Sequence, residues 1–240
     1  MMNMNKNRDL IINGFGSSSG GEFELASING KGKVHGDIDC KHYDCNGFGT
    51  VNGNIKAETV KINGKSTING NVDADSITID GHSSMSGEVN TEKIRISGSG
   101  SIGGSLRGEH IKINGKASIG GDCEAEEFDS EGLFTIGGLL NAENIDILLY
   151  GDCKAKEIGG QTIRIKQRIH GFMKIVKSIY PTRLVTDVIE GDDLYLEGVK
   201  AKIIRGNNVT IGKNCEIDLL EYKGAIEVDK SSKVMKTNQL

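Results

Sequence analysis

The sequence predicts an all-β fold, a single-stranded parallel β-helix with about 17 residues per coil, and three observations carry that prediction. First, Gly36, Gly53, Gly70, Gly87, Gly104, Gly121 and Gly138 recur at a constant step of 17, and Gly30, Gly47, Gly64, Gly81, Gly98, Gly115 and Gly132 keep the same step. A period held without one insertion is a single structural unit copied in tandem. Second, apolar residues repeat in columns between the glycines. Val34, Val51, Ile68, Met85, Ile102, Ile119 and Ile136 form one, and Phe128 belongs to another with Tyr43, Val60, Ile77, Ile94, Ile111 and Ile145. Third, inward and polar positions alternate within a unit such as Val60 to Ala74, which is the period of a strand. No unit of three short strands can bury its inward face alone, so the units must stack and pair their backbones coil on coil.

The elements follow in chain order. Residues 1–25 read as a flexible N-terminal segment with a candidate first coil, because Leu10-Ile11-Ile12-Asn13-Gly14 repeats the later Val-x-Ile-Asn-Gly and the run Ser17 to Gly21 then interrupts it. Residues 26–165 are the β-helix. Each coil turns one corner between Ala57 and Val60 or their equivalents, and another at Asn-Gly pairs such as Asn63-Gly64, whose chemistry suits positive φ. From Ile136 the register is expected to contract, since Leu149 to Ala155 matches Ile119 to Ala125 only 13 residues later. Residues 166–186 read as a basic amphipathic segment. Residues 187–230 return to strand alternation with Gly191 and Gly206 fifteen apart, and 231–240 read as a tail.

Composition narrows the function classes. The net charge of −4 and pI of about 5.8 argue against a nucleic-acid partner. The apolar fraction of 36% is low only until the 34 glycines are counted, because glycine here fills inward corners. No apolar run is long enough to cross a bilayer, and Met1 to Asp9 lacks the apolar core of a signal peptide, so the expected location is the cytoplasm. The cysteines replace apolar or small residues, with Cys40, Cys45 and Cys123 in inward columns, and read as reduced core fillers. The histidines share no column and no Ser/His/Asp set or phosphate loop appears. The expectation is a protein that is not an enzyme, with no cofactor and no metal.

The units Ile62 to Ala74 and Ile113 to Ala125, of the form Ile-x-Gly-x-x-x-Ile-x-Gly-x-Val-x-Ala, resemble those of the bactofilins, the polymer-forming cytoskeletal proteins of bacteria. Lys154 to Gly160 and Ile203 to Gly212 resemble the Gram-positive branch, and the likeness runs over roughly residues 10–228. The resemblance implies a right-handed β-helix that joins end to end into nucleotide-independent filaments. Such filaments scaffold other proteins at the cytoplasmic face of the membrane and support cell shape, morphogenesis or motility. It implies the chain itself as a partner in a homopolymer, a paralogue as a further candidate, and the inner membrane face as a peripheral location.

Three surfaces are candidates for that work, each with a plainer alternative. The ends of a β-helix expose unpaired backbone groups that template another chain, unless Leu10 to Phe23 and residues 187–228 fold over them. In 164–183, Arg164, Lys166, Arg168, Lys174 and Lys177 accompany Ile169, Phe172, Met173 and Val176 at helical spacing, the composition of an interfacial helix on anionic lipid. The alternative is a helix packed on its own solenoid. Met1-Met2-Asn3-Met4 is a poor membrane peptide, which directs the expected contact to this segment. Finally, Glu58, Asp75, Glu92, Glu109, Glu126 and Glu143 recur every 17 residues at one corner. They are either an acidic surface for a basic partner or cations, or side chains that accept corner N–H bonds. The acidic column also keeps open a different function, a non-polymerising β-helical adaptor.

Overall fold

The computed structural model describes residues 8–168 and 182–240, and among these every regular element is a β-strand. The chain divides into two compact units, Met1–Glu109 with Gly115–Ser118 and His110–Asn114 with Ile119–Leu240. Each is a parallel β-solenoid with about 17 residues per coil.

Unit 1 begins with β1 (Leu10–Ile12), β2 (Phe15–Ile28) and β3 (Lys31–Cys45). Later coils break into a short and a long strand: β4 (Phe48–Asn52) and β5 (Ile55–Ile62), β6 (Lys65–Ile68) and β7 (Val72–Ile79), β8 (His82–Met85) and β9 (Val89–Ile96), then β10 (Ser99–Ile102). β11 (Leu106–Ile113) and β12 (Lys116–Ile119) follow. Every ladder is parallel and steps by one coil, so like stacks on like. Val34 meets Val51, which meets Ile68, Met85 and Ile102 in turn. Ile38, Ile55, Val72 and Val89 do the same on the next side. These residues are almost completely buried, each contributing roughly 1.5–3 kcal/mol of apolar burial. The β5–β7 register passes over Glu58 and Asp75, so a corner does lie at those positions.

In unit 2, β13 (Cys123–Ser130), β14 (Leu133–Leu149), β15 (Cys153–Gln167), β16 (Leu184–Leu196) and β17 (Val199–Ile211) pair successively in parallel. β18 (Glu216–Tyr222) and β19 (Ile226–Val228) both pair with β17, and β20 (Lys233–Gln239) pairs with β18. Gly191 pairs with Gly206, so this coil is two residues shorter than the regular repeat.

Several expectations are corrected. Ile136 stacks on Ala155, not Leu149, and a bulge at Ile136/Leu139 absorbs the difference. The coil lengthens there instead of contracting; Leu149 and Cys153 still face inward, which is why the apolar pattern misled. The run Ser17 to Gly21 does not interrupt the solenoid. Ser17, Ser18 and Ser19 pair with Lys33, Val34 and His35, because a ladder is made of backbone and needs no side chain there. Residues Lys233–Gln239 are a strand, not a tail, because they fall one full repeat after β18. The Asn-Gly corners do not use positive φ, since among the described residues only Gly21, Gly36, Gly198 and Asn214 have it. Glycine is required for closeness instead. A Cβ built on Gly47, Gly64, Gly81, Gly98 or Gly115 would stand 2.0 to 2.1 Å from the carbonyl oxygen of the glycine one coil earlier.

Candidate functional site

The eight residues expected to stack, Val34, Val51, Ile68, Met85, Ile102, Ile119, Ile136 and Phe128, are all buried. Phe128 and Phe134 meet edge to face with centroids 5.5 Å apart. Above them the surface of each unit is organised into ladders that climb from coil to coil.

In unit 1 one ladder is made of neutral amides, while Lys41 and Glu24 form an ionic rung at 2.6 Å. Nδ2 of Asn29 donates to Oδ1 of Asn13 at 2.9 Å, Asn46 to Asn29 at 2.9 Å, and Asn63 to Asn46 at 2.7 Å. A second kind ties side chain to backbone: Oδ1 of Asp37, Asn54 and Asn71 accepts the N–H of Asn54, Asn71 and Glu88 at 2.7 to 2.9 Å. Asp122 accepts the N–H of Leu139 in the same way in unit 2. Sequence reasoning missed this column, although its signal is visible as the Asp or Asn that follows the first glycine column. Glu58, Asp75, Glu92, Glu109, Glu126 and Glu143, at the other corner, are exposed, and the Glu58 carboxylate acts on the Lys41 ammonium.

In unit 2 the ladders are ionic and alternate in sign. Lys202 meets Asp187 at 2.7 Å, with the Asp218 carboxylate on its other side. Lys200 meets Glu216 at 3.0 Å, and Arg205 lies between Glu221 at 2.8 Å and Glu190 at 3.6 Å. The hydrogen bond from Lys202 holds the Asp187 carboxyl below its ordinary range, and that from Lys200 does the same for Glu216. A hollow of about 310 Å³ over Thr186, Ala201 and Ile217 is rimmed by these pairs.

The terminal coils leave backbone edges open. In unit 1 the first half of β2, from Phe15 to Ser19, pairs with β3, and among the described residues no strand lies on its other edge. Phe15 is 91% exposed and Ile11 is 51% exposed. In unit 2, among the described residues, β20 pairs only with β18; it carries exposed Met235, with exposed Leu240 beyond it.

Of the basic segment, Arg164 and Lys166 are outward residues of strand β15, not of a helix. Arg164 reaches Asp146 at 3.5 Å, and the Arg168 guanidinium lies over the Tyr150 ring at 4.6 Å while donating to its hydroxyl. Ile169, Phe172, Met173, Lys174, Val176 and Lys177 lie outside the described residues.

Nothing in these arrangements activates a nucleophile. All five cysteines are buried free thiols, and burial pushes Cys153 up to about 11 and Cys123 higher still. Among the described residues no group of side chains could hold a metal, and no helix is long and apolar enough to cross a membrane.

Comparison with known sequences agrees with a structural role. The family profile of the bactofilins, described as polymer-forming cytoskeletal, matches residues 3–90 and 48–124, together just over half of the chain. The chain is a bactofilin. Two uncharacterised proteins of Bacillus subtilis (strain 168) are similar to this bactofilin: YhbF, 39% identical over 85 residues, and YhbE, 40% identical over 90. The matched stretches span 35% and 38% of the chain, and 34% and 38% of YhbF and YhbE respectively. No solved structure matches. The bactofilins are a structural cytoskeletal family, not an enzyme family, and the two relatives agree with the Gram-positive type.

Proposed function

We propose that this bactofilin is a filament-forming scaffold that assembles end to end without nucleotide at the cytoplasmic face of the membrane, serving cell shape, morphogenesis or motility. The observation that supports it best is the pair of open edges. The start of β2 and the whole of β20 each offer a row of N–H and C=O groups beside exposed apolar side chains, the arrangement that templates another chain. A paralogue with the same coil would meet the same edges. Membrane attachment in this reading runs through the basic segment that begins at Arg164.

Electron microscopy of purified protein without nucleotide tests the assembly. Long filaments are expected, and discrete monomers or dimers would overturn it. A second reading, the non-polymerising adaptor, draws on the six exposed corner carboxylates as a surface for a basic partner. It predicts the discrete particles. Imaging of tagged protein in cells, with a deletion phenotype, tests the cellular role.

A further inference from the structure

One sheet face of unit 1 differs from the rest of its surface. Its outward positions come from the first halves of β2 and β3 and from β4, β6, β8 and β10, which stack in register. One outward column runs Phe15, Lys31, Phe48, Lys65, His82 and Ser99, and Lys116 of β12 continues it. The neighbouring column adds Lys33, and serine, threonine, asparagine or histidine occupies the other outward positions. The chain has 33 acidic residues, yet none lies on this face, and the acids of unit 1 are confined to its other sides and corners. Such a separation of charge is unexpected in a protein with a net charge of −4.

The two aromatic rings make the face more than a basic patch. Phe15 and Phe48 are 91% and 64% exposed. One lysine rung separates them, so their backbones stand roughly 10 Å apart. Two solvent-exposed phenylalanines, set among lysines whose methylene stems are apolar and whose ammonium groups carry positive charge, match the requirements of a headgroup layer. The rings enter the acyl boundary while the lysines meet phosphate and carboxylate groups. A nucleic acid would use the lysines but leave this ring spacing unused.

We infer that this acid-free face of unit 1 is a contact surface for an anionic lipid bilayer, separate from the basic segment at 164–183. It rests on the membrane half of the function proposed above; Phe15 also borders the open edge of β2, so the variants that test the face leave it in place. The contact is made through strands of the solenoid itself, so each copy in an assembly would present it.

Sedimentation with sucrose-loaded vesicles of phosphatidylcholine, with and without phosphatidylserine, at a speed that leaves vesicle-free filaments in solution, tests this on the full chain. Wild-type protein is expected to pellet with the anionic vesicles only, and less at high salt. Each lysine facing an anionic surface is worth roughly fivefold in partitioning, so Lys31→Glu with Lys65→Glu should lose about 25-fold or more. Phe48→Ser should weaken pelleting while leaving its salt dependence in place. All three side chains are exposed, so each variant should keep the wild-type unfolding temperature and still form filaments under the electron microscope. Wild-type pelleting by the lysine variant would overturn the inference. So would its retention of binding while Phe172→Asp with Met173→Asp abolishes it. Absence of wild-type binding would also overturn it while leaving the filament reading intact. Loss of filaments together with binding would overturn it too, because lost multivalency would then explain the effect. A preference for duplex DNA over anionic vesicles would assign the face to a different partner and refute it.

Discussion

Gly47→Ala isolates the cause of the glycine column. An alanine Cβ at 47 would stand 2.0 Å from the Gly30 carbonyl oxygen, whereas real Cβ atoms keep at least 3.0 Å away, so two coils must part by about 1 Å. The gap stretches two bonds made there, Gly47 N–H to Ile28 O at 3.0 Å and Phe48 N–H to Gly30 O at 2.8 Å. Each is worth about 0.5–1.5 kcal/mol, and the strain of parting a packed stack adds about 1–3 kcal/mol. The sum is about 2–6 kcal/mol, which lowers the melting temperature of a chain this long by about 4–24 °C. Gly14 supplies the internal control. It follows an asparagine in the same ladder, yet a Cβ there meets nothing within 4 Å and its φ is not positive. Gly14→Ala should therefore be neutral or stabilising by about 0.4–1 kcal/mol through the unfolded chain. Thermal unfolding followed by far-ultraviolet circular dichroism, at one fixed protein concentration, compares the two. Equal melting temperatures would refute close approach as the reason for glycine.

Other side chains give sharper yes-or-no results. Phe128→Arg drives a charge into a fully buried site against Phe134 and should abolish soluble folded protein, costing more than about 4 kcal/mol; a normal yield and melting curve would contradict the inward assignment. Ser83 has a buried hydroxyl for which no partner is seen, so Ser83→Ala should be neutral or stabilising by up to about 1 kcal/mol in urea titration. Asp187 and Glu216 have folded-state pKa values below their unfolded ones, so their contribution is full above the unfolded carboxylate range near pH 4 and lost as pH falls through the folded values. The urea midpoint should fall on acidification below that range, and Asp187→Asn should flatten part of the fall. With Cys153 pushed up to about 11 by burial, a thiol reagent at mildly alkaline pH should leave native protein unmodified and react only after denaturant is added.

Much of the solenoid was legible because its columns are written directly in residue type. Val34 through Ile136 and Phe128 face the interior because a 17-residue step and a two-residue alternation leave one consistent solution. Features that depend on neighbouring coils were harder to see. The Asn-Gly pairs looked like turns of positive φ, but the constraint on Gly47 comes from Gly30, one coil away, and only the pitch reveals it. The role of Asp37, Asn54 and Asn71 is hidden for the same reason, since each serves the N–H of the following coil. Leu149 and Ala155 are both buried, so burial pattern alone could not tell which one stacks on Ile136. The acid-free face escaped notice because it is defined by what its outward positions lack, whereas the repeats draw attention to what recurs.

The two kinds of ladder also give the units different rules for growth. In the Asn13 to Asn63 ladder of unit 1 each linking amide donates to the coil before it and accepts from the coil after it, so deleting or duplicating one of those coils would rejoin asparagine to asparagine without penalty. In unit 2, removing β17 would bring Asp187 against Asp218 and Glu190 against Glu221, like charge on like. Evolution could lengthen or trim the first unit one coil at a time, but the second would have to change by two, and its coils carry distinct addresses during folding.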